Sequence, residues 1–212
     1  MDQTWQIIVS VVTAIAAIVA LVISVIQISK SNKQSLFERR LNAYLKIRWL
    51  KALCDENNSF KENYLKEAKE GPVLVLDMFF SCMTNNSYLE EIQPVINHVL
   101  ELEWQRKYLL KIEELRSLCE EVRLIFPENI GYSLADFIFY YEEMLVSMYK
   151  YQIALNRLEK ECKELNRPLP TDDSLENNCR SVVVKNIEGT FELSERLFKE
   201  GTLEKAKKVI KL

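Results

Sequence analysis

The chain has 212 residues, a net charge of −3 and 48% hydrophobic residues, enough for an anchor plus one soluble domain of about 180 residues. Four glycines and five prolines are too few for a Gly-rich phosphate loop or a turn-rich β fold. One histidine and five scattered cysteines exclude a His/Cys zinc cluster. Leu, Glu, Lys and Ile dominate, so the predicted class is all-α, with a transmembrane helix over 1–29, a basic juxtamembrane stalk helix over 30–56 and a cytoplasmic helical bundle over 57–212.

Ile7 to Ile28 is an uncharged run of twenty-two residues. At about 1.5 Å rise per residue it just crosses a hydrocarbon core of about 30 Å. A cleaved signal peptide would need a basic n-region and a shorter apolar stretch, so the segment is expected to stay. Gln3, Gln6, Ser10, Thr13, Ala17, Ala20, Ser24 and Gln27 follow one another at spacings of three and four, and Ser31 and Gln34 continue this heptad stripe. Two arrangements would satisfy it in hydrocarbon. Helices could pack closely at Ala17 and Ala20 with polar side chains bonding across, or copies could form a ring with the stripe facing a wet centre. Either makes the anchor a homo-oligomerisation element.

Lys30, Lys33, Arg39, Arg40, Lys46, Arg48 and Lys51 stand against one acid, Glu38, a net of +6 that leaves −8 for Ala52–Leu212 once Asp2 is counted. No Lys or Arg precedes the span. The positive-inside rule therefore puts the N-terminus outside and the large domain in the cytoplasm. The basic residues are candidates for the membrane surface, where each is worth about 1 kcal/mol near anionic headgroups. Nucleic acid would have to compete with the bilayer for the same charges. Cys54, Cys82, Cys119, Cys162 and Cys179 are odd in number and lack a C-x-x-C pair, which predicts reduced thiols at apolar helix positions.

The stalk pattern continues to Glu56 and is expected to end at Asp55–Ser59. A short helix follows over 60–70, closed by Gly71-Pro72. Val73–Met83 reads as a buried core helix and Thr84–Ser87 as a turn. Tyr88–Phe126 reads as one long helical stretch, entered or kinked at Pro94, with Ile92, Val95/Ile96, Val99, Leu102, Leu109, Ile112, Leu115, Cys119 and Val122 as its apolar positions. Ser133 is the predicted cap of the next helix. Its series runs Leu134, Phe137, Tyr141, Met144, Met148, Tyr151, Leu155, Leu158, Cys162, Leu165. Pro168–Asn178 reads as a polar loop, with Ser174 as a cap for a last helix over 182–198. A basic tail follows Gly201.

No catalytic motif, cofactor loop or metal-ligand spacing is present, so neither a cofactor nor a metal is expected. The paired acids Glu90/Glu91, Glu113/Glu114, Glu120/Glu121, Glu142/Glu143 and Asp172/Asp173 are expected to be solvated. One alternative to a non-enzymatic protein is open. The stretch from Gln93 to His98 looks like a degenerate Arg-x4-His motif of HEPN ribonucleases, with Gln93 in place of the phosphate-holding Arg.

Leu36, Phe37, Arg40 and Tyr44 in the junction KQSLFERRLNAYLKI form Leu-Phe-x-x-Arg-x-x-x-Tyr. This resembles a group of bacterial single-pass proteins in which a membrane helix precedes the same motif, some of which look like accessory or effector components of antiphage systems. The layout is also similar to the membrane accessory proteins of type VI-B CRISPR systems, which carry one anchor and a HEPN-like helical domain and assemble into pores. The resemblance implies the bacterial inner membrane. It also implies an effector or accessory role in antiviral defence that opens or perturbs that membrane. The alternatives are a non-conducting scaffold that recruits a soluble defence-system partner, and a membrane-tethered ribonuclease.

Overall fold

The computed structural model describes residues 2–70, 74–166 and 174–210, with side chains described from Trp5 and not at 67–70 or 174–175. Among the described residues there is no strand, and the chain folds as a long apolar N-terminal helix leading into a helical bundle. Helix α1 runs unbroken from Asp2 to Glu56. No glycine or proline interrupts it, so every backbone N–H past the first turn finds its carbonyl. Its first half is bare: the residues from Trp5 to Ile28 are all exposed. It is the one described helix long and apolar enough to cross a membrane.

The second half is different. Ala43, Tyr44, Ile47, Leu50, Leu53 and Cys54 are buried in the bundle core, so half of the stalk belongs to the bundle itself. Asn57 ends α1, its side chain donating to the Leu53 carbonyl at 2.8 Å. Helices α2 (Asn58–Glu70), α3 (Asp77–Thr84), α4 (Leu102–Ile125), α5 (Glu128–Glu164), α6 (Ser174–Lys199) and α7 (Thr202–Ile210) follow. The centre is α5, whose predicted series is buried from Leu134 through Tyr151 and at Leu155 and Cys162, and ends before the exposed Leu165. It lies between α4 and α6. Arg39 and Arg40 meet Glu121 and Ile125 near the end of α4, whereas Lys46, farther along α1, lies beside Leu110 and Glu114, so α4 runs antiparallel to α1 and the α4–α5 corner lies at the end of the bundle nearest the apolar segment.

Several local expectations are corrected. Helix α3 begins at Asp77, not at Val73. Leu74 and Leu76 are buried while Val75 is 68% exposed, and ahead of the helix the Leu74 N–H donates to the Tyr151 hydroxyl at 2.9 Å. Residues 88–126 are not one helix. The Asn86 side chain accepts from the Tyr88 and Leu89 N–H groups, and a 3-10 segment, Glu90–Ile96, carries Pro94 inside it. Proline lacks the N–H and pushes the residue before it away from α geometry, so the helix restarts only at Leu102. The restart resets the register. Tyr108 and Lys111 take buried positions, while Leu102 and Leu109 are 81% and 57% exposed.

Helix α5 starts at Glu128 behind Pro127, and Ser133 lies within it, donating to the Asn129 carbonyl instead of capping. Gly131 sits inside the helix because a Cβ there would meet the Val122 carbonyl oxygen at 3.1 Å, which lets α4 and α5 close tightly at their corner. The predicted polar loop is helical from Ser174 onward, and Glu176 is buried. Gly71-Pro72, Asp172/Asp173 and the rest of 167–173 lie outside the described residues. Gly201, at φ +63°, supplies the left-handed residue that turns α6 into α7.

Candidate membrane interface along α1

The stripe residues Gln6, Ser10, Thr13, Ala17, Ala20, Ser24, Gln27, Ser31 and Gln34 are all exposed, and the side chain of Gln3 lies outside those described. Three of the stripe hydroxyls are nevertheless satisfied within the helix. Ser10 donates to the Gln6 carbonyl, Thr13 to Val9 and Ser24 to Ala20, each at 2.8 Å. Such bonds remove much of the cost of a hydroxyl in hydrocarbon without a neighbouring helix. Between Trp5 and Ile28, the stripe groups that still call for a partner or water from outside the helix are therefore Gln6 and Gln27. Among the described residues neither amide is bonded within the chain. Gln34 is closed locally on Glu38 at 3.0 Å.

The orientation of the stripe follows from the helix period. At about 100° per residue, the buried positions Ala43, Tyr44, Ile47, Leu50 and Cys54 cluster on one side of α1. Ser24, Gln27, Ser31 and Gln34 then lie roughly 180° away. The bundle hangs on one flank of the rod and the stripe faces the other. Past Gln34 the same spacing leads to Glu38, Leu41, Leu45, Arg48 and Ala52, flanked by Trp49. Leu41 and Trp49 stay 36% and 42% exposed, so the unoccupied face continues along the stalk.

The seven basic residues divide by depth. Lys30 and Lys33 are exposed and lie within about 8 Å of Ile28 along the axis. Lys46, Arg48 and Lys51 lie roughly 27–35 Å beyond it, several Debye lengths from any headgroup. Lys46 and Lys51 reach other helices of the bundle, and Arg48 lies on its own helix. Lys46 lies over the Tyr88 ring at 5.1 Å, Arg48 over Tyr44 at 6.0 Å, and the buried Lys51 pairs with Asp55 at 2.6 Å and covers Phe198. Arg39 pairs with Glu121 at 2.7 Å. Arg40 donates from Nε to the Ile125 carbonyl at 2.6 Å and from Nη1 to the Val209 carbonyl at 3.4 Å. It thus reaches the carbonyl ends of α4 and α7 together, where free C=O groups attract a cation. This gives the motif around Arg40 a structural meaning: Arg40 and the buried Tyr44 fasten the rod to the bundle.

Gln93 and His98 take separate partners. Gln93 donates to the Ser81 carbonyl at 3.3 Å, while the exposed His98 contacts Glu101 through Nδ1 at 2.7 Å and stacks on Trp104. No protein-family model, curated protein or solved structure matches this chain. No group of His, Cys, Asp and Glu with metal-binding geometry occurs among the described residues. The cysteines are free, and burial pushes the Cys54 thiol up to about 12.

One paired acid departs from expectation. Glu142 is buried and bonded by Arg116 at 2.8 Å; loss of water raises its carboxyl above the usual range, and Arg116 only partly offsets this. Period alone cannot separate Glu142 from its solvated neighbour, because Arg116 approaches from another helix. The seating of the α7 end beside α1 was also out of reach from sequence. Val209 and Ile210 line one groove with Lys33 and Phe37 across about 170 residues, a separation that period and charge do not bridge.

Proposed function

We propose that the protein is a membrane-anchored homo-oligomer acting on the bilayer it crosses, with the bundle in the cytoplasm and the N-terminus outside the inner membrane. One observation carries this reading: the bundle and the polar stripe occupy opposite flanks of α1. Copies can therefore meet along the stripe with their bundles outside, free of mutual collision. Parallel copies would bring Gln27 beside Gln27 and Gln6 beside Gln6. An amide both donates and accepts, so each pairs with its own kind, for about 0.6–2 kcal/mol per bond. With the hydroxyls already closed on their own helix, few bonds lock such a contact. The same face can line a wet centre or pack shut. The resemblance of the Leu36-Phe37-x-x-Arg40-x-x-x-Tyr44 segment supports an antiviral effector or accessory role.

Dye release from liposomes carrying the full chain tests this. Wild type is expected to leak, Gln27→Leu to leak far less, and Ser24→Ala to behave as wild type because its hydroxyl makes no intermolecular bond. Wild type leaking no more than Gln27→Leu would sink the pore. A second reading, a non-conducting scaffold that recruits a soluble partner, is favoured by the self-satisfied hydroxyls. It requires that an unrelated anchor in place of 1–29 preserve function.

A further inference from the structure

At the end of the bundle nearest the span, α7 comes to lie beside α1. A groove of about 570 Å³ opens between Lys33, Leu36, Phe37 and Arg40 of α1 and Val209 and Ile210 of α7. We infer that it binds the phosphate-bearing headgroup of an anionic glycerophospholipid from the cytoplasmic leaflet, an inference that rests on α1 crossing the membrane. The volume falls within the range of small-molecule sites, about 300–1,000 Å³.

Three independent features point to that occupant. The first is depth. Lys33 lies about 7–8 Å beyond Ile28 along the helix, and a leaflet's headgroup layer extends about 5–8 Å past the hydrocarbon. The mouth of the groove is thus level with lipid phosphates, and its floor at Arg40 lies about 10 Å deeper.

The second is charge. The chain has more acids than bases, 31 against 28, yet the groove is lined by two cations and no carboxylate. Arg40 is already fixed by its bonds to the Ile125 and Val209 carbonyls, so little side-chain freedom is lost when its remaining N–H donors meet an anion. Lys205, Lys207 and Lys208 are exposed on the adjoining α7 and add to the local potential.

The third is apolarity. Leu36 and Phe37 stay 37% and 43% exposed beside the cations. They lie between Lys33 and Arg40, so a free phosphate ion would leave them in water, whereas a lipid whose phosphate is drawn up toward Arg40 would lay its glycerol backbone over them.

The test uses the full chain, extracted in detergent and reconstituted in phosphatidylcholine vesicles with or without phosphatidylglycerol, followed by native mass measurement of retained lipid. Firm retention in pure phosphatidylcholine vesicles after an alkaline wash is the prior check. Its failure would refute the spanning reading, whereas its success followed by no selective lipid refutes the groove alone. Wild type is expected to keep phosphatidylglycerol through delipidation. Lys33→Gln and Phe37→Ser should each weaken retention about tenfold, and Val209→Trp, which fills the groove and leaves its charges, should do the same. Phe37 is exposed enough for its variant to fold. Lys30→Gln should change retention less than twofold. Equal losses from Lys30→Gln and Lys33→Gln would reduce the effect to diffuse surface charge and overturn the site. So would unchanged retention in Phe37→Ser, or complete displacement of the lipid by millimolar inorganic phosphate.

Discussion

Replacing Arg40 by Met keeps most of the aliphatic stem but removes the cation that joins α1 to α4 and α7. The bond to the Ile125 carbonyl, at 2.6 Å, is short and charge-assisted, a type worth about 1.5–3 kcal/mol net. The bond to Val209, at 3.4 Å, is too long to add much. A cation at a helix C-terminus adds about 0.3–1 kcal/mol. Because Arg40 is only half-buried, solvent screening holds the total near 2 kcal/mol, roughly a thirtyfold change in the folding equilibrium. Arg40→Lys keeps the charge with one compact donor group and should lose about half as much. Urea unfolding of the full chain in detergent, read by the fluorescence of Trp49 and Trp104 in the bundle, measures both. If Arg40→Met lies within 0.5 kcal/mol of wild type, or if Lys is as damaging as Met, the clamp is not what fastens the rod.

Burial favours the protonated form of Glu142, so the folded state holds that proton more tightly than the unfolded chain. Stability from this group therefore falls as pH rises from about 4.5 through the raised folded value. Glu142→Gln should match or exceed wild type by about 0–1 kcal/mol at pH 7, since its partner Arg116 is 60% exposed and can return to water, and should lose that advantage below pH 4.5. Urea midpoints at the two pH values decide it. Tyr151→Phe leaves the Leu74 N–H without its acceptor and takes a donor from the buried Glu176, for an expected loss of about 2–3 kcal/mol by the same assay. For the ribonuclease alternative, His98→Ala should abolish any RNA cleavage by purified protein. Cleavage that persists in the variant removes the alternative.

Much of the architecture was readable from period alone. The uncharged run, the buried series of α5 and the all-α class follow from where apolar side chains recur. What escaped was decided by single atoms. Pro94 could mark a kink or a full break; the missing N–H and the Asn86 cap made it a 3-10 segment, and that reset the phase of α4 by enough to expose Leu109 and bury Tyr108. Leu74 and Leu76 gave the same apolar letters as a helix would, but the Leu74 N–H is taken by the Tyr151 hydroxyl from a distant element and the helix begins only at Asp77. For the candidate interface, spacing located the stripe, yet spacing carries no information about whether Ser10 bonds to its own helix or to another. The basic segment was legible as charge and misleading as depth, because Lys51 and Arg40 serve the bundle.

A final consequence concerns the 55 residues of α1 as a single unjointed element. At about 1.5 Å per residue the rod is roughly 80 Å long, and it contains neither of the residue types that make hinges. Any torque or lean imposed on the bundle is therefore delivered to the apolar end of the rod with little slack, and a few degrees at one end becomes several ångströms of sweep at the other. Signal and response would share one lever.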